Sequence, residues 1–484
     1  MGPEVNRKRT TTCKLSLFQR VQAKAHFRVC AFEEGAPVGG DLPNGQGGWA
    51  VGEFERSYCD DNLSLVPSPT PSASLPRPLR GADSDAFTRR TITTRWPRIA
   101  GRVIEENDFP DTINACIQAL RDDLPDGPIR PLRDEKAPDA ALWAESVAPH
   151  RGKTWLEAPW FFGETYFYRR LLEATGYFRS GAGARVDPFS YQKDQGLVQT
   201  ADRIGALAER RTRALDEDED APPVLTRLFR TALWGNQADL SMWTAGEEGP
   251  DHQDADRAEE HLLVDDTDAA LAHLTTRDRP ARVDIWADNA GFELVSDLAL
   301  IDGLLATEAV GQVTVQLKVH PTFVSDATID DVHATLEALA GAEAAPVRAL
   351  SERLRGALAS GRLRLRDAWV WTSPLRARAL PPHARAEIAR ADLLITKGDA
   401  NYRRLLGDRQ WAFTTPFEKA AAPLPTPVLA LRTHKSEVAA GLSRSQVDRL
   451  NAQDPDWPVN GEWGVIQWAP AHPSPEALRP AAAT

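Results

Sequence analysis

Cysteine is scarce and scattered in this sequence, with Cys13, Cys30, Cys59 and Cys116 the only four in 484 residues. No pair has C-x-x-C spacing, which argues against a zinc site or a disulfide framework and points to a reducing, cytoplasmic setting. Long apolar runs are also absent. Nothing approaches the roughly 18 uninterrupted apolar residues of a membrane span, so the chain reads as soluble with no membrane partner. Positive charge is in deficit, 57 Lys and Arg against 69 Asp and Glu, for a net charge of −12. A nucleic-acid partner calls for the opposite balance. The phosphate-cradling G-x-x-x-x-G-K-[ST] and the dinucleotide G-x-G-x-x-G are missing as well. A small anionic substrate stays open, because local cations or a metal can override the global field.

The length predicts two packed units, or one large domain with a helical appendage. Residues 1–66 show no coherent period, and Arg20, Lys24 and Arg28 interrupt every apolar run that a signal peptide would need. They read as a disordered extension or a mis-assigned start, and the Pro/Ser-rich residues 67–78 as a linker. Residues 79–273 are mostly helical in pattern, over 104–122, 160–174 and 223–243. The acidic residues 216–220 and 247–260 read as solvated loops. From residue 274 to the end, apolar runs at 283–287, 313–319, 368–371, 393–396 and 428–431 alternate with helical patterns such as 293–305 and 382–390. This predicts an α/β fold with a mostly parallel sheet.

The functional signal lies just past the end of each run, because parallel strands bring their C-terminal ends to one edge. The first run ends in Asp288-Asn289, oxygen donors that suit a hard divalent cation, although both types also cap helices. Asp326 comes after the second run as a third oxygen donor, or as the cap of a helix from Ile329. Lys397-Gly398-Asp399-Ala400-Asn401 comes after the fourth and precedes a helix expected near Tyr402. A point charge, a glycine and a helix start together suit a phosphate, and an ordinary glycine turn is the plain alternative. Arg432-Thr433-x-Lys435 comes after the fifth, where two cations could clamp a phosphoryl oxygen. Asn236, Gln237 and Asp239 either line the cleft or satisfy buried backbone.

In order and combination, these segments resemble the metal-dependent damage-control phosphatase family, in its acidic-residue-methyltransferase-like subfamily. The resemblance rests on Asp288-Asn289-Ala290-Gly291-Phe292-Glu293, His320-Pro321-Thr322-Phe323-Val324-Ser325-Asp326, Lys397 to Arg403 and Arg432-Thr433-x-Lys435. Glu157-Ala158-Pro159-Trp160 and Trp234-Gly235-Asn236 add to it, and it spans residues 85–467. It implies a Rossmann-like sheet with helices on both faces, an N-terminal helical subdomain, and hydrolysis of phosphate esters, including sugar phosphates such as fructose 1-phosphate. It also implies that Asp288, Asn289 and Asp326 hold the metal, with Mn²⁺ expected ahead of Mg²⁺, Co²⁺ or Ni²⁺. Glu293, Lys397, Gly398, Asp399, Ala400, Asn401 and Lys435 would contact a small phosphorylated metabolite, together with Arg432. Asp399 is the expected proton-handling carboxylate. A methyltransferase using S-adenosylmethionine and a non-enzymatic sugar-phosphate sensor are the alternatives. A covalent aspartyl-phosphate route lacks its D-x-D, since Asp284 and Asp288 are too far apart.

Overall fold

The aliphatic and β-branched runs beyond residue 280 become strands buried on both faces, the pattern of a sheet covered by helices. The computed structural model describes residues 75–83, 87–235 and 259–472. Its strands are β1 (Leu262–Asp265), β2 (Ala281–Trp286), β3 (Val310–Leu317), β4 (Leu363–Asp367), β5 (Leu393–Lys397), β6 (Val428–Thr433) and β7 (Gly464–Ala469). They lie in the order β1-β7-β6-β5-β2-β3-β4, and all neighbours are parallel except β6 and β7. The run expected as a strand at 368–371 is instead a 3₁₀ turn, Trp369–Thr372. The strand before it, β4, alternates Leu with solvent-facing Arg, as an edge position permits.

The helices that position the site are α1 (Trp96–Glu106), α2 (Asp111–Asp122), α3 (Trp160–Thr175), α4 (Ala201–Asp216), α5 (Ala221–Trp234), α6 (Phe292–Ala306), α7 (Ile329–Ala340), α8 (Ala345–Ala359) and α9 (Gly398–Leu406). The expected helical segment 104–122 is divided between α1 and α2, because Pro110 disfavours helix at the residue before it. Residues Val66–Thr484 cluster as one compact unit. Helices α4 and α5 pack on α6, β1 joins the sheet, and one hydrophobic core runs from Ile204 to Ile466, so segments on both sides of residue 273 share it. Residues 1–74, Asn236, Gln237 and Asp239 lie outside the described residues. Among those described, no helix is long and apolar enough to cross a membrane.

The path β2-α6-β3 runs one way along the sheet and β5-α9-β6 runs the other. With right-handed crossovers, that places α6 and α9 on opposite faces. The direction reverses between the adjacent strands β2 and β5, and an open α/β sheet binds its ligand in the crevice at such a point.

Candidate active site

Both segments expected to hold the metal leave the sheet at this crevice. After β2 and β3 the chain forms a short antiparallel bridge, Asn289 opposite Asp326. Ala290 N–H donates to the Ser325 carbonyl at 2.7 Å and Ala327 N–H to the Asp288 carbonyl at 2.8 Å. The bridge sets Asp288, Asn289 and Asp326 side by side, and none of the three serves as a helix cap. Gly291, at φ +72°, precedes α6 without a side-chain cap. Helix α7 is capped by Thr328 in a reciprocal pair with Asp331. The loop into Asp326 is strained, with Phe323 and the β-branched Val324 both in the left-handed region at φ 51° and 73°. Strain of this kind persists where surrounding structure enforces it, often at functional sites.

The electrostatics of the cluster call for a cation. Asp288 is buried, and burial together with the nearby Glu293 and Asp326 carboxylates pushes its pKa well above the ordinary range, against Lys318 and Lys397. Burial raises Asp326 too, although Lys318 Nζ lies 3.0 Å from its Oδ2. That contact offsets only part of the cost of burying the carboxylate. Asn289 Nδ2 donates to Asp288 Oδ2 at 2.7 Å and to Glu293 Oε2 at 2.9 Å, while its Oδ1 accepts from Ser325 and keeps a second lone pair. Among the described residues, no three or more His, Cys, Asp or Glu side chains form a metal-holding group by themselves. The set here is two carboxylates and an amide, an all-oxygen donor set that fits a hard divalent ion.

The other expected contacts divide into those facing the crevice and those used to build it. Helix α9 starts at Gly398, directly at the end of β5 and four residues before the expected start at Tyr402. Lys397 is buried and donates to the Ala232 carbonyl at 2.7 Å while pairing with Asp297 at 2.7 Å and Glu293 at 3.1 Å. All three of its N–H bonds are thereby engaged, and it positions Glu293 rather than reaching a substrate. Asn401 Nδ2 donates to the carbonyls of Trp286, Ala287 and Lys397, tying α9 to the end of β2. Arg432 is fully buried and spends its guanidinium on Asp399, Ser436 and Val438.

Asp399 accepts from Arg432 and Ser436 on Oδ1, each at 2.8 Å, and its Oδ2 forms an ion pair with Arg403 at 2.9 Å. Burial alone would raise its carboxyl, but Arg432 and Arg403 outweigh it and hold the pKa below the ordinary value. A carboxylate held ionised by two guanidiniums is a poor base, so these surroundings argue against the proton-handling role and for a positioning one. Asp399→Ala strands two buried arginines and should cost about 3–5 kcal/mol in urea denaturation. A loss below ~1 kcal/mol, the scale of an exposed pair, would contradict this. Lys435 is different. Among the described residues it makes no hydrogen bond or ion pair, and burial lowers its pKa against the pull of Glu293, Asp288 and Asp399. It is the cation left over to face the cluster.

A protein-family comparison matches residues 91–450 to the damage-control phosphatase ARMT1-like domain. The chain belongs to the damage-control phosphatase family. Damage-control phosphatase ARMT1 of Rattus norvegicus is 32% identical over 438 residues, covering 82% of this chain and 99% of the relative. The Homo sapiens protein of the same name is 31% identical over 441 residues with the same coverage. Among solved structures, a DUF89 family protein from Pyrococcus horikoshii aligns with a TM-score of 0.40 at 16% identity, covering 72% of this chain and 94% of that one.

In this family member, sequence reasoning missed residues that act through others. Lys318, at the end of β3, balances Asp326, and Ser325 orients Asn289. Arg403 joins Asp399 to Glu164 of α3, at 2.6 Å. A polar residue ending a buried strand was the available signal for Lys318. His320 opens the loop into Asp326 as a buried neutral imidazole among Tyr177, Phe178 and Trp369, and burial holds its pKa down to about 4 from 6.5. The unfolded chain therefore takes up this proton first, and folded stability falls as pH drops from about 6.5 toward 4. Compared with His320→Gln, wild type should lose roughly 2–3 kcal/mol more between pH 7 and 4.5 in urea titrations.

Proposed function

We propose that the protein is a divalent-metal-dependent phosphatase that hydrolyses small phosphate monoesters, sugar phosphates such as fructose 1-phosphate among them. The observation that carries this reading is the cluster of buried Asp288 and Asp326 with the half-buried Asn289 at the switch point of the sheet, beside Lys435, which is unpaired among the described residues. Membership of a family whose relatives are named phosphatases supports it. Asp288, Asn289 and Asp326 would hold Mn²⁺, or Mg²⁺, Co²⁺ or Ni²⁺, and such an ion supplies Lewis acidity and makes water nucleophilic at neutral pH.

The chain's own residues do the rest. Lys435 neutralises charge on the phosphoryl oxygens, and the N–H groups at the start of α9 point to the same edge. Glu293, fixed by Lys397 and Asn289, keeps the amide of Asn289 turned toward the cluster. Phosphate release from a panel of sugar phosphates, with each divalent ion added in turn, tests the reading. Lys435→Ala should lower kcat by roughly a hundred- to a thousandfold, as for a lost transition-state donor. Unchanged turnover in that variant would remove Lys435 from the mechanism.

A further inference from the structure

The helical layer brings to the loop before Asp326 a polar atom that no described residue satisfies. Tyr168, on α3, is 1% exposed, and its hydroxyl has no hydrogen-bond partner among the described residues. Trp96 and Trp155 also have unpartnered ring N–H groups, but those rings pack on each other, on Tyr166 and on Phe167, none of them in the loop that delivers Asp326. Tyr168 packs at 5.3 Å on Phe323, in the strained loop that delivers Asp326. The charges that act on its hydroxyl belong to Arg95, Glu164, Asp326 and Arg403. Of these, Glu164 and Arg403 are paired with each other, and Asp326 is paired with Lys318.

Arg95 is the exception. It is exposed, and its side chain makes no hydrogen bond or ion pair among the described residues. It ends a π-helical turn, Thr91–Arg95, a distortion frequent at functional sites. The turn is anchored at both ends toward the site. Trp96, next to Arg95, stacks at 5.3 Å on Phe167, next to Tyr168. Phe87 N–H, one helical turn earlier, donates at 2.9 Å to Glu437, two residues beyond Lys435. The charge of Arg95 reaches Lys435 as well as Tyr168.

We propose that Tyr168 and Arg95 are substrate-contacting residues on the helical side of the site, the hydroxyl donating a hydrogen bond and the guanidinium a charge-assisted pair to oxygens of the phosphate that Lys435 faces from the sheet side. The proposal rests on the phosphatase reading above. A phosphate is rich in acceptors and suits a planar guanidinium. Burial pushes the Tyr168 pKa upward, so the hydroxyl keeps its proton and serves as a donor, not a base. Binding would then satisfy a hydroxyl that the free protein leaves bare, which is a form of selectivity for ligands carrying an acceptor there.

The test measures three quantities on full-length wild type, Tyr168→Phe, Arg95→Ala and Arg95→Lys: metal-free Tm, Mn²⁺ affinity, and inorganic phosphate affinity of the Mn²⁺-loaded protein by calorimetry. Tyr168→Phe should keep its Mn²⁺ affinity and a Tm equal to or above wild type, because the lost hydroxyl had no partner, while phosphate affinity falls about tenfold. Arg95→Ala should show a similar fall, and Arg95→Lys should recover part of it. Either residue is removed from the site if its variant binds phosphate as wild type does. A Tyr168→Phe protein that loses Tm and Mn²⁺ together overturns the proposal in favour of a structural role. Wild type that binds Mn²⁺ but no phosphate overturns instead the phosphatase reading.

Discussion

Asp288→Asn should give a folded protein with a higher metal-free Tm than wild type and almost no turnover. The carboxylate is buried beside Glu293 and Asp326, whose repulsion Lys318 and Lys397 only partly offset. The amide has the same shape and removes that repulsion, so the free protein gains stability. It also removes an anionic ligand from the donor set, and Mn²⁺ affinity should fall with it. Phosphate release should drop by at least about a thousandfold, the upper end for loss of a single transition-state donor. Thermal denaturation, Mn²⁺ titration and phosphate release on one preparation check the three parts. A variant that loses stability and keeps activity would mean that Asp288 is a structural residue. Opposite signs for stability and function are expected where a site is built from charges that the fold alone does not satisfy.

Gly398→Ala should be among the most damaging glycine substitutions in the described structure. Gly398 has φ +77°, and an added Cβ would sit 1.9 Å from Asp288 Oδ2 and 2.2 Å from its Cγ. Two costs coincide, a left-handed backbone carrying a side chain and an overlap with a buried carboxylate held by the Asn289 amide. Together they predict a loss of about 2–5 kcal/mol, with Mn²⁺ affinity and turnover falling alongside because Asp288 is the group displaced. Gly356→Ala, in α8 with open space around the Cβ, is the control and should be neutral or slightly stabilising. Equal behaviour of the two variants would contradict the close approach of α9 to Asp288.

This contact also shows how much the sequence made legible. Polar residues after apolar runs identified which strand ends meet at the crevice, because a parallel sheet aligns those ends whatever its strand order. The order itself, and the adjacency of β2 and β5 that brings Gly398 against Asp288, has no local signal. Lys397 and Arg432 looked like phosphate ligands because cations at strand ends are usually accessible. Their partners, the buried Asp297 and the largely buried Asp399, are chosen by packing across elements that a linear pattern does not pair. Helix α3 hid its role for a related reason. Residues on all its sides are buried, so Glu164 and Tyr168 stand among core residues with no amphipathic face to mark them. Strand β4 was displaced to the neighbouring Trp-rich turn because its apolar Leu residues alternate with charged Arg, as an edge position permits, and no apolar run marks it.

The most direct test of the central claim is metal restoration. Chelator-stripped wild type and Asp288→Ala are each assayed for phosphate release from fructose 1-phosphate before and after addition of Mn²⁺. The account predicts no release from either stripped protein, release restored by Mn²⁺ in wild type, and none restored in the variant. Release that survives stripping, or that Mn²⁺ restores equally in Asp288→Ala, would contradict a metal-dependent phosphatase built on Asp288, Asn289 and Asp326.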